Sequence, residues 1–148
     1  MNISFEANRM RLERFRSAAR DAGIKLTPQR LAIFGAVAND ATHPNAESVH
    51  RAVRESIPNV SLDTVYRTLW MLTDLGLLTA MGSARKGVRF DANPEPHHHY
   101  VCNRCGAVQD FQSAELDQLN IPEFVREYGA VGSAQVEVRG ICSHCAAN

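Results

Sequence analysis

No run of this chain approaches the roughly 18 uninterrupted apolar residues that a membrane-crossing helix needs, so no membrane partner is expected. The amino-terminal stretch lacks the apolar core of a secretory signal and carries Arg9, Arg11, Arg14, Arg16 and Arg20 instead. A cytoplasmic location is the expectation. Internal repeats and low-complexity tracts are missing. So are a nucleophile–base motif and a glycine loop for a nucleotide cofactor, which argues against an enzyme. Net charge is missing too, because 16 Lys and Arg offset 16 Asp and Glu. With 45% apolar and 22% charged residues, the 148 positions suit one folded domain or two small ones rather than disorder.

That zero is made of unlike parts. Residues 1–93 hold 13 cations against 9 anions, and residues 94–148 hold 3 against 7. A basic half joined to an acidic half fits a DNA-binding module followed by a second module. Chance clustering of solvated charges gives the same count. Cysteine is absent from the first half: Cys102, Cys105, Cys142 and Cys145 all lie in the second.

The first half reads as helices followed by a hairpin. Leu12, Phe15, Ala19 and Ala22 recur at helical steps over residues 5–22, and Gly23 ends the run. Thr27-Pro28 opens a second helix with a capping hydroxyl and a proline at its first position. A third carries Ala46, Val49, Val53 and Ile57, and breaks at Pro58. Ser61 caps a fourth, with Val65, Leu69, Leu72 and Leu75 inward. Leu77–Met81 and Gly87–Phe90 read as two short strands around a basic, glycine-bounded turn. Ala92-Asn93-Pro94-Glu95-Pro96 discourages helix and reads as a linker. Beyond it, Tyr100–Cys102 and Ala107–Phe111 suggest a hairpin, and residues 113–128 suggest helical pieces broken near Pro122. Ala134, Val136 and Val138 suggest a one-faced strand. The expected fold class is α+β, with a winged helix-turn-helix over 1–91, a hinge at 92–96 and a small α/β domain over 97–148.

In a winged helix one helix enters the major groove while phosphate contacts fix its register. Ser61–Leu75 is the candidate, with Thr64, Tyr66 and Arg67 beside its buried stripe. Arg67 suits a guanine edge or a phosphate, and Tyr66 a thymine methyl or a phosphate. Lys25, Arg85 and Lys86 are candidate contacts to phosphate or a minor groove. The competing reading makes these residues half-core or solvated charge. Trp70 reads as packing.

Two Cys-x2-Cys pairs, 36 residues apart, can close a tetrahedral four-sulfur shell, which suits structural Zn²⁺ and leaves no open position. The same spacing serves a rubredoxin-like iron centre or redox dithiols. Upstream stand His97, His98 and His99. On a strand, His97 and His99 share one face and His98 the other. With Asp91 and Asp110 nearby, the first two suit Fe²⁺, Mn²⁺ or Zn²⁺, although an exposed histidine run is the plainer reading.

These segments resemble the ferric uptake regulator (Fur) family along nearly the whole chain. The resemblance rests on Leu26-Thr27-Pro28-Gln29-Arg30, His43-Pro44 with Ala46-Glu47, and Ser61-Leu62-Asp63-Thr64-Val65-Tyr66-Arg67-Thr68-Leu69. It continues through Arg89-Phe90-Asp91, His97 to Gly106, and Asp110-Phe111. It implies a homodimeric, metal-dependent repressor of operator DNA whose carboxy-terminal domain dimerises. It also implies a regulatory metal, Fe²⁺ or Mn²⁺, held by His43, Asp91, His97, His99 and Asp110. Position 43 enters through the family pattern alone. Aspartate at 91 and 110, where iron-sensing members usually carry glutamate, resembles the peroxide-sensing branch. There, hydrogen peroxide is the signal and the residues matching His43 and His97 are oxidised. Asp117 matches one ligand of a third metal site found in many members, but Ala134 stands where a histidine is expected, so that site is not anticipated.

Overall fold

The computed structural model describes residues 4–83 and 87–148. The expected wing contacts Arg85 and Lys86 lie outside the described residues. The chain divides into two compact units, Met1–Pro94 and Glu95–Asn148.

The first unit is built from α1 (Phe5–Asp21), α2 (Pro28–Ala38), α3 (Ala46–Arg54), α4 (Leu62–Asp74), β1 (Thr79–Ser83) and β2 (Gly87–Asp91). Each helix starts at a side-chain cap. Ser4, Thr27, Asn45 and Ser61 each accept a backbone N–H three residues on, which satisfies one of the orphan donors at a helix start. α3 stops at Arg54, short of Pro58, and Ile57 packs on the core from the following turn. β1 and β2 pair antiparallel from Thr79↔Asp91 to Ser83↔Gly87. β1 begins two residues later than the sequence suggests. Leu77 and Leu78 turn into the core instead, their N–H groups donating to the Leu72 carbonyl. Gly82 is required where it stands, because a Cβ there would run into the Gly87 carbonyl across the hairpin.

Phe15, Ile33, Phe34, Val37, Val49, Val65, Leu69, Leu72 and Phe90 form the fully buried centre of this unit. Phe15 and Phe34 pack at 4.8 Å between ring centroids. A bridge between Asn45 and Arg89 ties the start of α3 to β2. Helices α2 to α4 with the β1–β2 hairpin make a winged helix-turn-helix.

The second unit holds β3 (His98–Cys102), β4 (Val108–Phe111), α5 (Ala114–Asp117), a 3-10 turn (Glu123–Glu127), β5 (Glu137–Gly140) and α6 (Ser143–Ala146). Its sheet runs β4-β3-β5, antiparallel between β3 and β4 and parallel between β3 and β5. The strand expected around Ala134–Val138 starts only at Glu137, and Val138 is exposed. β5 is an edge strand of the sheet, next to β3 alone. Among the described residues, Val101, Cys102 and Cys145 are the buried apolar side chains here. A unit this poor in core needs another source of stability.

Candidate metal centres and nucleic-acid face

Helix α4 turns Asp63, Tyr66, Arg67, Trp70 and Asp74 to solvent, a stripe spaced at three and four residues. Arg67 pairs with Asp63 at 3.0 Å along the helix. Thr64 is part of the cap, accepting the Ser61 hydroxyl at 2.9 Å while its N–H donates back to Ser61. Tyr66 donates its hydroxyl to Glu47 Oε1 at 3.0 Å. Trp70 meets Phe90 edge-on at 5.5 Å yet stays 43% exposed, so it is only partly a packing residue. A hollow of about 420 Å³ lies between α2 and α4, lined by Thr27, Gln29, Arg30, Thr64, Arg67 and Met71. Lys25 is exposed just before it, and its carbonyl takes a 2.7 Å bond from Arg30.

The four cysteines converge. Their sulfurs all lie within 4.8 Å of one another, and none is in a disulfide. Two tight turns do this, one between β3 and β4 and one at the start of α6. Backbone N–H groups of Cys105 and Cys142 donate to Cys102 Sγ at 3.5 and 3.3 Å, and that of Cys145 donates to Cys142 Sγ at 3.4 Å. These donors bring the Cys102 thiol down to about 5, the Cys105 bond acting most and the Cys142 bond next. Cys145 is pushed up to about 12, first by its bond to Cys142 and then by burial, as expected when several thiols crowd together without a cation. Four sulfurs in one cluster, with amide donors stabilising charge on them, fit a tetrahedral thiophilic ion.

Two further donor sets occur, one in each unit. In the first, His43 is the described non-glycine residue with a positive φ, 61°, in the left-handed region. Its loop is held against β2. Arg89 Nη1 donates to the His43 carbonyl at 3.1 Å and the Thr42 carbonyl at 3.4 Å, and the Phe90 N–H donates to Pro44 at 3.0 Å. The result puts His43 Nε2 3.6 Å from Asp91 Oδ2. Asp91 Oδ1 takes the Asn93 N–H at 2.9 Å, which orients the carboxylate.

In the second unit, His97 and His99 meet edge-to-face at 4.8 Å. His99 Nε2 lies 3.2 Å and His97 Nε2 3.9 Å from Asp110 Oδ1, as the His99↔Asp110 register across β3 and β4 dictates. His97 donates Nδ1–H to the Glu95 carbonyl, which leaves Nε2 with its lone pair. The donors suit a borderline divalent cation.

His98 does turn to the opposite side of β3, but not into solvent: it is 1% exposed. Its Nδ1 accepts the Val136 N–H at 3.1 Å, so Nε2 carries the proton it donates to Asp117 Oδ1 at 2.9 Å. Sequence reasoning also missed Arg89 as the clamp on His43 and Glu47 as the partner of Tyr66. Both pairs are distant in sequence, so no spacing rule finds them.

A model described as the ferric uptake regulator family matches residues 21–138. The peroxide-responsive repressor PerR of Staphylococcus aureus is 31% identical over 146 residues, 98% of both chains. Among solved structures, the Helicobacter pylori ferric uptake regulator Fur superposes with a TM-score of 0.75 at 26% identity, covering 94% of this chain and 93% of that one. The Campylobacter jejuni peroxide stress regulator gives 0.66 at 25%, covering 90% and 98%.

Proposed function

The chain belongs to the ferric uptake regulator family of metal-responsive, DNA-binding transcriptional regulators, and we propose that it is a homodimeric repressor of the peroxide-responsive kind. Cys102, Cys105, Cys142 and Cys145 hold a structural Zn²⁺ that staples a unit with little core of its own. His43, Asp91, His97, His99 and Asp110 share one regulatory Fe²⁺ or Mn²⁺. The observation that carries this reading is the distribution of donors. Each unit offers imidazole nitrogen and carboxylate oxygen, His43 with Asp91 in the first and His97 and His99 with Asp110 in the second, and Asp91 and His97 flank the Pro94–Glu95 boundary. Asp91 and His97 are six positions apart, a tether of at most about 20 Å, so both sets can reach one ion.

Such an ion favours one relative orientation of the units only as far as it binds that orientation better. In a dimer, that orientation sets the spacing of the two α4 helices against operator half-sites. Leu119, Phe124, Tyr128, Val138 and Ile141 are exposed apolar side chains of the second unit and support self-association there. The protein's cellular setting is the cytoplasm, where the operator is.

Asp91 and Asp110 as the shorter carboxylates, with near full-length similarity to a peroxide-responsive repressor, support hydrogen peroxide as the signal. Bound Fe²⁺ would supply one electron to break the O–O bond of peroxide and regain it from the oxidised ring, so that one oxygen enters the imidazole and the other leaves as water, chemistry that Mn²⁺ would not supply. The part of the chain is to hold His43 and His97 where they take the oxygen. An imidazole that has gained one oxygen is a poorer ligand, so the units are released and DNA is lost. A second reading, an iron-responsive repressor without peroxide chemistry, is favoured by the higher TM-score to the H. pylori regulator. Treating the Fe²⁺-loaded protein with stoichiometric peroxide and mapping peptide masses separates them. The first predicts one added oxygen on the His43 or His97 peptide together with lost DNA binding, and none with Mn²⁺. Unmodified histidines with full DNA binding support the second.

A further inference from the structure

The hydroxyl proton of Tyr66 is already committed. Oη donates to Glu47 Oε1 at 3.0 Å, linking the exposed stripe of α4 to the first turn of α3. A phenol has one proton and two acceptor sites, and an ionised carboxylate only accepts. The pair therefore faces solvent with acceptors alone. The bond to Glu47 first, then burial, then the charge of Glu47 keep the hydroxyl above its ordinary value of 10, so the proton stays on the phenol at neutral pH.

A hollow of about 430 Å³ beside the pair is lined by Asn45, Glu47, Tyr66, Trp70, Gly87 and Val88. Among these described residues there is one carboxylate and no cation. Asn45 Oδ1 is occupied by the Ser48 N–H at 2.8 Å. The hollow on the other side of α4 is the reverse, with Arg30 and Arg67 in its lining. The carboxylate of the first hollow is that of Glu47, and the Asn45 amide NH2 and the Trp70 indole N–H also line it, so the acceptor-only character belongs to the Glu47–Tyr66 pair and not to the whole side of the helix.

Phosphate oxygens are anionic acceptors, so an acceptor-only pair that includes a carboxylate repels them. Guanine O6 and N7 and thymine O4 are acceptors as well. In the major groove the donors are the amino groups, adenine N6 and cytosine N4. Resting on the DNA-binding function proposed above, we infer that the Glu47–Tyr66 pair reads a base amino group in the major groove, with Glu47 setting the polarity of the Tyr66 hydroxyl. Tyr66 is then neither a phosphate contact nor a methyl contact, the two roles its sequence position suggests.

The test uses the full-length, zinc-containing, Mn²⁺-loaded dimer on a duplex selected in vitro. Affinities are compared for wild type, Tyr66→Phe and Glu47→Ala across single base-pair variants and a salt series. Tyr66 is 37% exposed, so Tyr66→Phe leaves the fold intact, and circular dichroism checks this. The expected result is a loss of about tenfold for Tyr66→Phe on the best site. The loss falls on one adenine- or cytosine-bearing position per half-site, with the salt slope unchanged. Replacing that base by its analogue lacking the amino group costs wild type about the same factor and costs Tyr66→Phe nothing more. Whether the adenine or the cytosine analogue does so identifies the base. Glu47→Ala frees the proton and moves the preference at that position toward guanine or thymine. The inference is overturned if Tyr66→Phe weakens all sequences equally and lowers the salt slope by about one, the mark of a phosphate contact. It is also overturned if deoxyuridine in place of thymine costs wild type tenfold and the variant nothing. Wild type binding no duplex at all would instead remove the DNA-binding function on which it rests.

Discussion

Replacing Arg89 by methionine removes a guanidinium and keeps most of the aliphatic stem. Arg89 Nη1 donates to the carbonyls of His43 and Thr42, and it does so across 46 residues of sequence. His43 sits at φ 61°, a conformation that costs a non-glycine residue about 1–2 kcal/mol. A charge-assisted bond to a carbonyl contributes about 1.5–3 kcal/mol, and the half-exposed position of Arg89 argues for the lower end. The two magnitudes match, so the clamp is what offsets the backbone strain. Without it, the loop keeps the Phe90–Pro44 bond and the bonds of Thr42 to Asp40, and the conformer that presents His43 to Asp91 falls to roughly a tenth of the population. Apparent affinity for Mn²⁺ should weaken by the same factor, about tenfold. Calorimetric titration of the zinc-loaded protein with Mn²⁺ measures it, and Arg89→Lys should fall between the two. A Mn²⁺ affinity for Arg89→Met within twofold of wild type would show that the αL loop is held by something other than Arg89.

Three further outcomes follow from the geometry. The Cys102 thiol of the metal-free site is lowered to about 5, so its contribution to stability is full above the ordinary thiol range and is lost as acid carries the pH through 5, a loss that denaturant unfolding of the zinc-stripped protein across that pH range measures. Cys142→Ser should lose zinc and, by amide hydrogen exchange, the protection of β3 to β5, while the first unit, with its own core, keeps its protection. Asp117→Ala leaves the buried Nε2–H of His98 without its acceptor and should cost about 1–3 kcal/mol in denaturant unfolding, whereas Asp117→Asn, which still offers an oxygen, should cost less.

What the sequence determined by itself was local. Caps at Thr27 and Ser61, the apolar stripes of α2 and α4, two cysteine pairs at two-residue spacing, and the alternation that sends His98 away from His97 and His99 all depend on neighbours within a turn or a strand. Where core packing competes with local pattern, the sequence misplaced boundaries: Leu77 and Leu78 go to the core rather than into β1, and Val138 stays exposed on an edge strand. Only the tertiary structure decided that Glu47 takes the proton of Tyr66 and that His98 is buried against Asp117 and Val136, and it alone gave a geometry to the pairing of His43 with Asp91 that the family resemblance implies. Each of those pairs joins residues 19 to 48 positions apart. Periodicity fixes which way a side chain points, but its partner is chosen by how separate elements pack, and that information is spread over the whole unit.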